Sequence, residues 1–262
     1  MAAPAYAEAS AGAVATAVGG LAQVQVAGAV GDLLILQVLQ DGTATAPTLD
    51  FTGGGIVEDL AGTDDAFTAV GVFDVGSPAV GKQHLWIGRT AALTSGFVDA
   101  IAVCQGDDIY VRLYRFTGVH TGTTLADVIE NSTAGTATNG VGNVIDISDT
   151  GVTTLGADRL ALNFVGVNDD NVLDAFTGMT GGTWAELVAE YATATGTDGA
   201  IGIQGATIAA AGTIDGGTDT MAIADPWGVV GFALIPAGAA TPASLIYQPG
   251  LQVATPRSLY VR

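Results

Sequence analysis

Two histidines, one cysteine and a few adjacent carboxylates are the residues of this chain with the reach for acid–base, thiol or metal chemistry. His84 lies in an apolar run and His120 in the loop Gly118-Val119-His120-Thr121-Gly122. No H-E-x-x-H, C-x-x-C or paired-histidine spacing occurs, so the ligand set of a zinc or iron site is missing. Neither histidine accompanies a G-x-S-x-G elbow, so a serine triad has no positioned nucleophile. Cys104 closes the apolar stretch Ile101–Cys104 and precedes Gln105-Gly106-Asp107-Asp108. A reactive thiolate needs an electropositive setting, and this one is acidic. The expectation is a buried, inert thiol acting as a small hydrophobe.

Carboxylate pairs stand at Asp64-Asp65, Asp107-Asp108 and Asp169-Asp170. A glycosidase needs two carboxyls set across a cleft, a separation that sequence does not reveal. Calcium favours oxygen-rich loops. Asn168-Asp169-Asp170-Asn171 is the best such loop, with Asp169 and Asp170 as the metal candidates, although its spacing is not that of an EF-hand. The competing reading is a solvated turn. Gly53-Gly54-Gly55 and Gly216-Gly217 lack the Lys-Ser/Thr of a phosphate loop and a helix to follow it. Trp86, Trp184 and Trp227, with Tyr110 and Tyr114, are either core or a sugar-stacking platform. No catalytic residue and no cofactor is expected.

The balance of charge narrows the partners. The 262 residues carry 7 cations against 26 anions, a formal net charge of −19, and Lys82 is the only lysine. Affinity for phosphate comes from Lys and Arg, so nucleic acid is excluded as a partner. An anionic membrane surface finds no basic patch. The longest apolar runs, such as that from Asp32 to Leu39, are too short to cross a bilayer as a helix. The N-terminus Met1-Ala2-Ala3-Pro4-Ala5-Tyr6-Ala7-Glu8 has no basic region of a signal peptide. The chain therefore reads as soluble and made in the cytoplasm.

The elements that must carry these residues are short β-type runs between Gly, Asp, Thr and Pro clusters. Strands are expected at Leu33–Leu39, Phe67–Phe73, His84–Thr90, Phe97–Val103, Ile109–Phe116 and Arg159–Val167, and again at Ala200–Ile208, Asp219–Ala224 and Trp227–Ile235. Gln105-Gly106-Asp107-Asp108 has the form of a hairpin turn. In the run from Ile109 to Phe116, period two sends Ile109, Val111 and Leu113 to one face and Tyr110, Arg112, Tyr114 and Phe116 to the other. Trp184–Ala192 fits a strand or a short helix, and its Gly-Thr bracket favours the strand. Thr124–Glu130 is the best helical segment. The sum is an all-β, jelly-roll-like sandwich of about ten to thirteen strands with minimal helix.

Three regions are expected. Residues 1–30 form an Ala/Gly-rich extension with a first edge strand at Leu21–Val26, residues 31–236 the β-sandwich, and residues 237–262 an extended C-terminal arm. The arm carries three prolines, Pro242 among them, and ends Arg257-Ser258-Leu259-Tyr260-Val261-Arg262. It is either a loose terminus or an arm that lies on a neighbouring subunit by strand addition, through Arg257, Leu259, Tyr260 and Arg262.

Several framework stretches carry a resemblance. After the N-terminal Met1-Ala2-Ala3-Pro4-Ala5-Tyr6, they are Gly31-Asp32-Leu33-Leu34-Ile35-Leu36, Trp86 with Arg89, Tyr114-Arg115-Phe116-Thr117-Gly118-Val119, Gly156-Ala157-Asp158-Arg159-Leu160 and the run from Trp227 to Pro236. In this order, with a Thr/Gly-rich connection between the third and fourth, the chain resembles the β-sandwich virion proteins of tailed bacteriophages over roughly residues 1–236. The resemblance implies a head-decoration, tail or fibre-associated component of the virion, made in the host cytoplasm, with no enzymatic site to carry over. It implies partners of two kinds, other virion proteins and copies of itself in a trimer or another symmetric oligomer. The alternative is a receptor- or carbohydrate-binding module of a tail fibre, with a host surface glycan as ligand.

Overall fold

A computed structural model describes residues 3–43, 45–49, 56–58, 63–64, 67–90, 97–122, 124–130, 136–147, 152–168, 176–192 and 199–239. In chain order the first strands are β1 Ala5–Ala9, β2 Ala13–Ala15, β3 Leu21–Ala27, β4 Leu33–Gln40, β5 Thr48–Leu49 and β6 Ile56–Glu58. They are followed by β7 Thr63–Asp64, β8 Thr68–Val75, β9 Gly81–Arg89, β10 Phe97–Val103 and β11 Ile109–Thr117. One helical turn, α1 Leu125–Val128, leads to β12 Ile129–Glu130, β13 Thr136–Asp146, β14 Thr153–Thr154 and β15 Arg159–Asn168. The chain continues through β16 Thr183–Ala192, β17 Gly199–Ile208, β18 Gly212–Thr213 and β19 Thr218–Leu234. Among the described residues twelve strands run five residues or longer, which matches the expected number.

The fold is an all-β sandwich stacked in layers. One inner sheet has the order β1-β11-β4-β9-β8, and the sheet outside it runs β3-β10-β6-β7. Early and late strands alternate in both, which is the jelly-roll arrangement. The second inner sheet runs β12-β19-β15-β17-β16, with β13 also on β19. Beyond it lie the pair β14-β18 and the far end of the β13–β19 ribbon.

Period two explains the layering. In β4, Leu34, Leu36 and Val38 pack outward against Val24, Val98 and Ala100. Leu33 and Ile35 pack inward with Tyr114, Phe116, Leu162, Phe164 and Phe232. All eight residues of β4 are buried, because this strand is covered on both faces. β15 behaves the same way, with Leu160, Leu162 and Phe164 inward and Val165 and Val167 outward. The inner core holds a T-shaped Tyr114–Phe164 pair at 5.8 Å and a stacked Phe164–Phe232 pair at 5.3 Å. One polar cluster crosses it. Gln37 Nε2 donates to Gln83 Oε1 (3.0 Å) and to the Val165 carbonyl (3.0 Å), and the Tyr114 hydroxyl donates to Gln37 Oε1 (2.6 Å).

Three expectations change. The segment Gln105–Asp108 is not a hairpin turn: β10 pairs with β3, β5 and β6, and β11 with β4, β1 and β2. Val98, Ala100 and Ala102 must face Leu34 and Leu36 from the opposite layer, so the chain crosses between sheets there. Asp219–Ala224 and Trp227–Ile235 merge into the seventeen-residue β19, because β13 pairs along both parts. The helix shortens to the single turn of α1, whose Asp127 carboxylate accepts from the Thr124 N–H (3.1 Å) and hydroxyl (2.7 Å). Its continuation is claimed by pairing of Ile129 with Leu234. β3 lies at the edge of its sheet, as Leu21–Val26 predicts.

Candidate assembly surface

The residues with chemical reach are placed as structural groups. His84 is buried on β9, stacked on Trp86 at 5.6 Å, with Nε2 2.9 Å from Gln40 Oε1. Gln40 Nε2 in turn donates to Asp107 Oδ2 (2.7 Å), which leaves Gln40 Oε1 as acceptor and His84 protonated on Nε2. Burial, with Lys82 nearby, lowers the His84 pKa to about 4. His120 Nδ1 accepts from the Gly122 N–H (3.1 Å) and stiffens its loop. Cys104 is buried, and its Sγ donates to the Asp107 carbonyl (3.1 Å). Burial raises the pKa of the Tyr114 hydroxyl far above the ordinary value.

The aromatic residues divide the same way. Tyr110, Tyr114 and Trp227 are buried in the cores. Trp86 and Trp184 are half-buried against the outer cores, and Trp184 Nε1 donates to the Thr180 carbonyl (3.0 Å). No group of three or more metal-ligating side chains occurs among the described residues. The calcium candidates Asp169 and Asp170 lie outside the described residues, as do Pro242, Arg257, Leu259, Tyr260 and Arg262 of the arm. A cleft of about 170 Å³ opens between α1 and the ends of β4, β8 and β9. Arg89 on its wall is held by the Gly31 carbonyl (2.6 Å) and the His120 carbonyl, so it ties the connection before α1 to the first inner sheet.

The surface offers another kind of feature. β13 and β19 form a long antiparallel ribbon with one wide bulge, where Gly142 pairs with Asp225 but Val144 with Thr220. The four residues Met221–Ala224 therefore stand opposite Asn143 alone. Met221 turns inward onto Val165, Val167 and Trp227. Val141, Val144 and Ile223 point out and are 57%, 44% and 61% exposed. Among the described residues β16 ends its sheet and pairs only with β17, and two register shifts break its regularity. Bulges of that sort blunt an open strand edge.

Sequence reading missed β13 altogether. Thr-Ala-Thr-Asn-Gly-Val-Gly-Asn has low strand propensity and reads as connection. The one signal in it is the run Val144-Ile145-Asp146-Ile147, whose Ile145 and Ile147 are buried. No family model matches this chain, and comparison with curated proteins and with solved structures likewise returns no match.

Proposed function

We propose that this chain is a non-enzymatic structural protein of a tailed-bacteriophage virion, a capsid-decorating or tail-associated sandwich that assembles through strand edges and terminal arms. The observation that carries the proposal is the bulged β13–β19 ribbon, which bears three exposed aliphatic side chains, Val141, Val144 and Ile223, on a molecule of net charge −19. Aliphatic side chains gathered on one exposed ribbon offer a contact site when they form a continuous patch. Jelly rolls recur in capsid proteins and in lectins, so the fold alone favours neither class. The sugar-binding reading loses support because Tyr110, Tyr114 and Trp227 are core residues.

The test is assembly. A Val141→Asn/Val144→Thr/Ile223→Asn variant should keep the circular dichroism of the native chain while its oligomers, measured by analytical ultracentrifugation, weaken at least tenfold. Electron microscopy of intact particles should find the protein in a fixed, high copy number. A variant that self-associates as before would count against the ribbon, and a protein missing from purified particles would count against the virion role. Binding on a glycan array lost on changing Trp86 or Trp184 would transfer the case to the fibre module.

A further inference from the structure

We infer that the chain is a fused pair: one jelly roll is present twice, and the inner sheet of each copy is a homotypic docking face whose partner is a second jelly roll of the same topology, supplied here by the same chain. The inference is independent of the virion reading.

The strand orders carry it. The first inner sheet, β1-β11-β4-β9-β8 with β2 also on β11, has the same connectivity as β12-β19-β15-β17-β16 with β13 also on β19. In each lobe the first strands flank the last, the last flanks the long central strand, and that strand flanks the next hairpin. The outer layers agree as well. β3 pairs with β10, and β14 with β18. Where β6 pairs with β10, the second lobe has the bridges Thr177–Thr218 and Thr180–Asp215 just beyond β18.

The registers agree residue by residue. β4 pairs with β11 from Leu33–Phe116 to Gln40–Ile109, and β15 with β19 from Leu160–Leu234 to Val167–Trp227. With Leu33 matched to Leu160, Ile35 falls on Leu162, Tyr114 on Phe232 and Phe116 on Leu234, and all eight share one core. Glu8, opposite Arg115, falls on Glu130, opposite Ala233. Glu8 and Asp32 both pair with Arg115 in the first lobe, and Glu130 pairs with Arg159, the match of Asp32, in the second.

An approximate two-fold relation between the lobes accounts for how they meet. Under such a rotation, positions near the axis meet their own counterparts. Gln37 is the match of Phe164, and Gln37 Nε2 reaches the Val165 carbonyl at 3.0 Å while Gln83 Nε2 reaches that of Phe164 at 3.3 Å. At the other end, Val119 forms an antiparallel bridge with Pro236, one residue short of Ala237, its match when Phe116 is set on Leu234. It is closed by His120 N–H to the Ile235 carbonyl (2.7 Å) and Ala237 N–H to the Gly118 carbonyl (2.8 Å). Pro236 occupies the position of that bridge that needs no N–H. A single lobe would leave Leu33, Ile35, Leu85 and Phe116 open to water, so its inner face requires a cover.

The test uses the full chain carrying Val119→Cys and Pro236→Cys, with a protease site inserted after Gly122. Positions that face each other in such a bridge suit a disulfide. After oxidation and cutting, one band of full mass is expected without reductant and two with it, while the Val119→Cys chain alone gives two in both. The cut, uncross-linked chain should elute in gel filtration as one particle holding both fragments. Fragments that part without denaturant, or a folded cysteine pair that never joins, would overturn the inference. An experimental structure of the unaltered chain serves if the cysteine variant does not fold. There β4, β9 and β11 should superpose on β15, β17 and β19 after a rotation near 180°, and a rotation far from that value would sink the pairing.

Discussion

His84 makes the stability of this protein depend on acidity. Its pKa in the folded chain is about 4, below the ordinary 6.5, because burial and Lys82 disfavour the imidazolium. Between those values the unfolded chain takes up a proton that the folded chain refuses. Stability is therefore complete above about pH 6.5 and falls as the pH drops toward 4. Over that interval the native chain should lose on the order of 2–3 kcal/mol more than a His84→Gln variant. Urea unfolding at pH 7 and pH 4.5 measures the difference, and parallel losses would refute it. Glu130 and Arg159 are both buried, with Nε 2.7 Å from Oε1, and Glu130 Oε2 also accepts from the Leu155 N–H at 2.8 Å. Glu130→Ala leaves a buried guanidinium without its counter-charge and should cost about 3–5 kcal/mol. The double change Glu130→Leu/Arg159→Leu should cost less, which chemical denaturation of the two variants side by side decides.

At the scale of elements, the ribbon explains where sequence reading succeeds and where it stops. Leu33–Leu39, Phe97–Val103 and Ala200–Ile208 carry enough apolar residues to name their strands, and β4, β10 and β17 follow them closely. The alternation of Ile109, Val111 and Leu113 against Tyr110, Tyr114 and Phe116 also assigns their faces correctly. β13 gives no such sign, because its stability comes from its partner. Gly140 pairs with Trp227, and a Cβ on Gly140 would stand 2.8 Å from the indole Cζ2. The glycine that reads as a turn is a seat for the ring, an aromatic covering a bare stretch of strand. Gly140→Val should displace Trp227 and destabilise the protein by about 1–3 kcal/mol. A shift in tryptophan emission together with a lower Tm is expected, and an unchanged spectrum would remove Trp227 from this role. The exposed Val141, Val144 and Ile223 were equally illegible, since a bulge in an unseen strand decides which way they turn.

For the whole molecule, the layered all-β class was legible and the doubling was not. Leu33-Leu34-Ile35-Leu36-Gln37-Val38 and Leu160-Ala161-Leu162-Asn163-Phe164-Val165 share only Leu33 with Leu160 and Val38 with Val165. Cores ask for apolar character and fitting volume, and many residue choices satisfy both. What the lobes share is register and strand order, which no single stretch of sequence displays.

The burial of β4 and β15 on both faces has a consequence for how the molecule opens. Neither strand can fray into water unless the wall between the lobes comes apart, and that event bares both at once. Their amide protons should be the last to exchange with deuterium, at matching rates set by global unfolding. The two halves of the chain then melt as one cooperative body, and neither serves as a stable stepping-stone for the other.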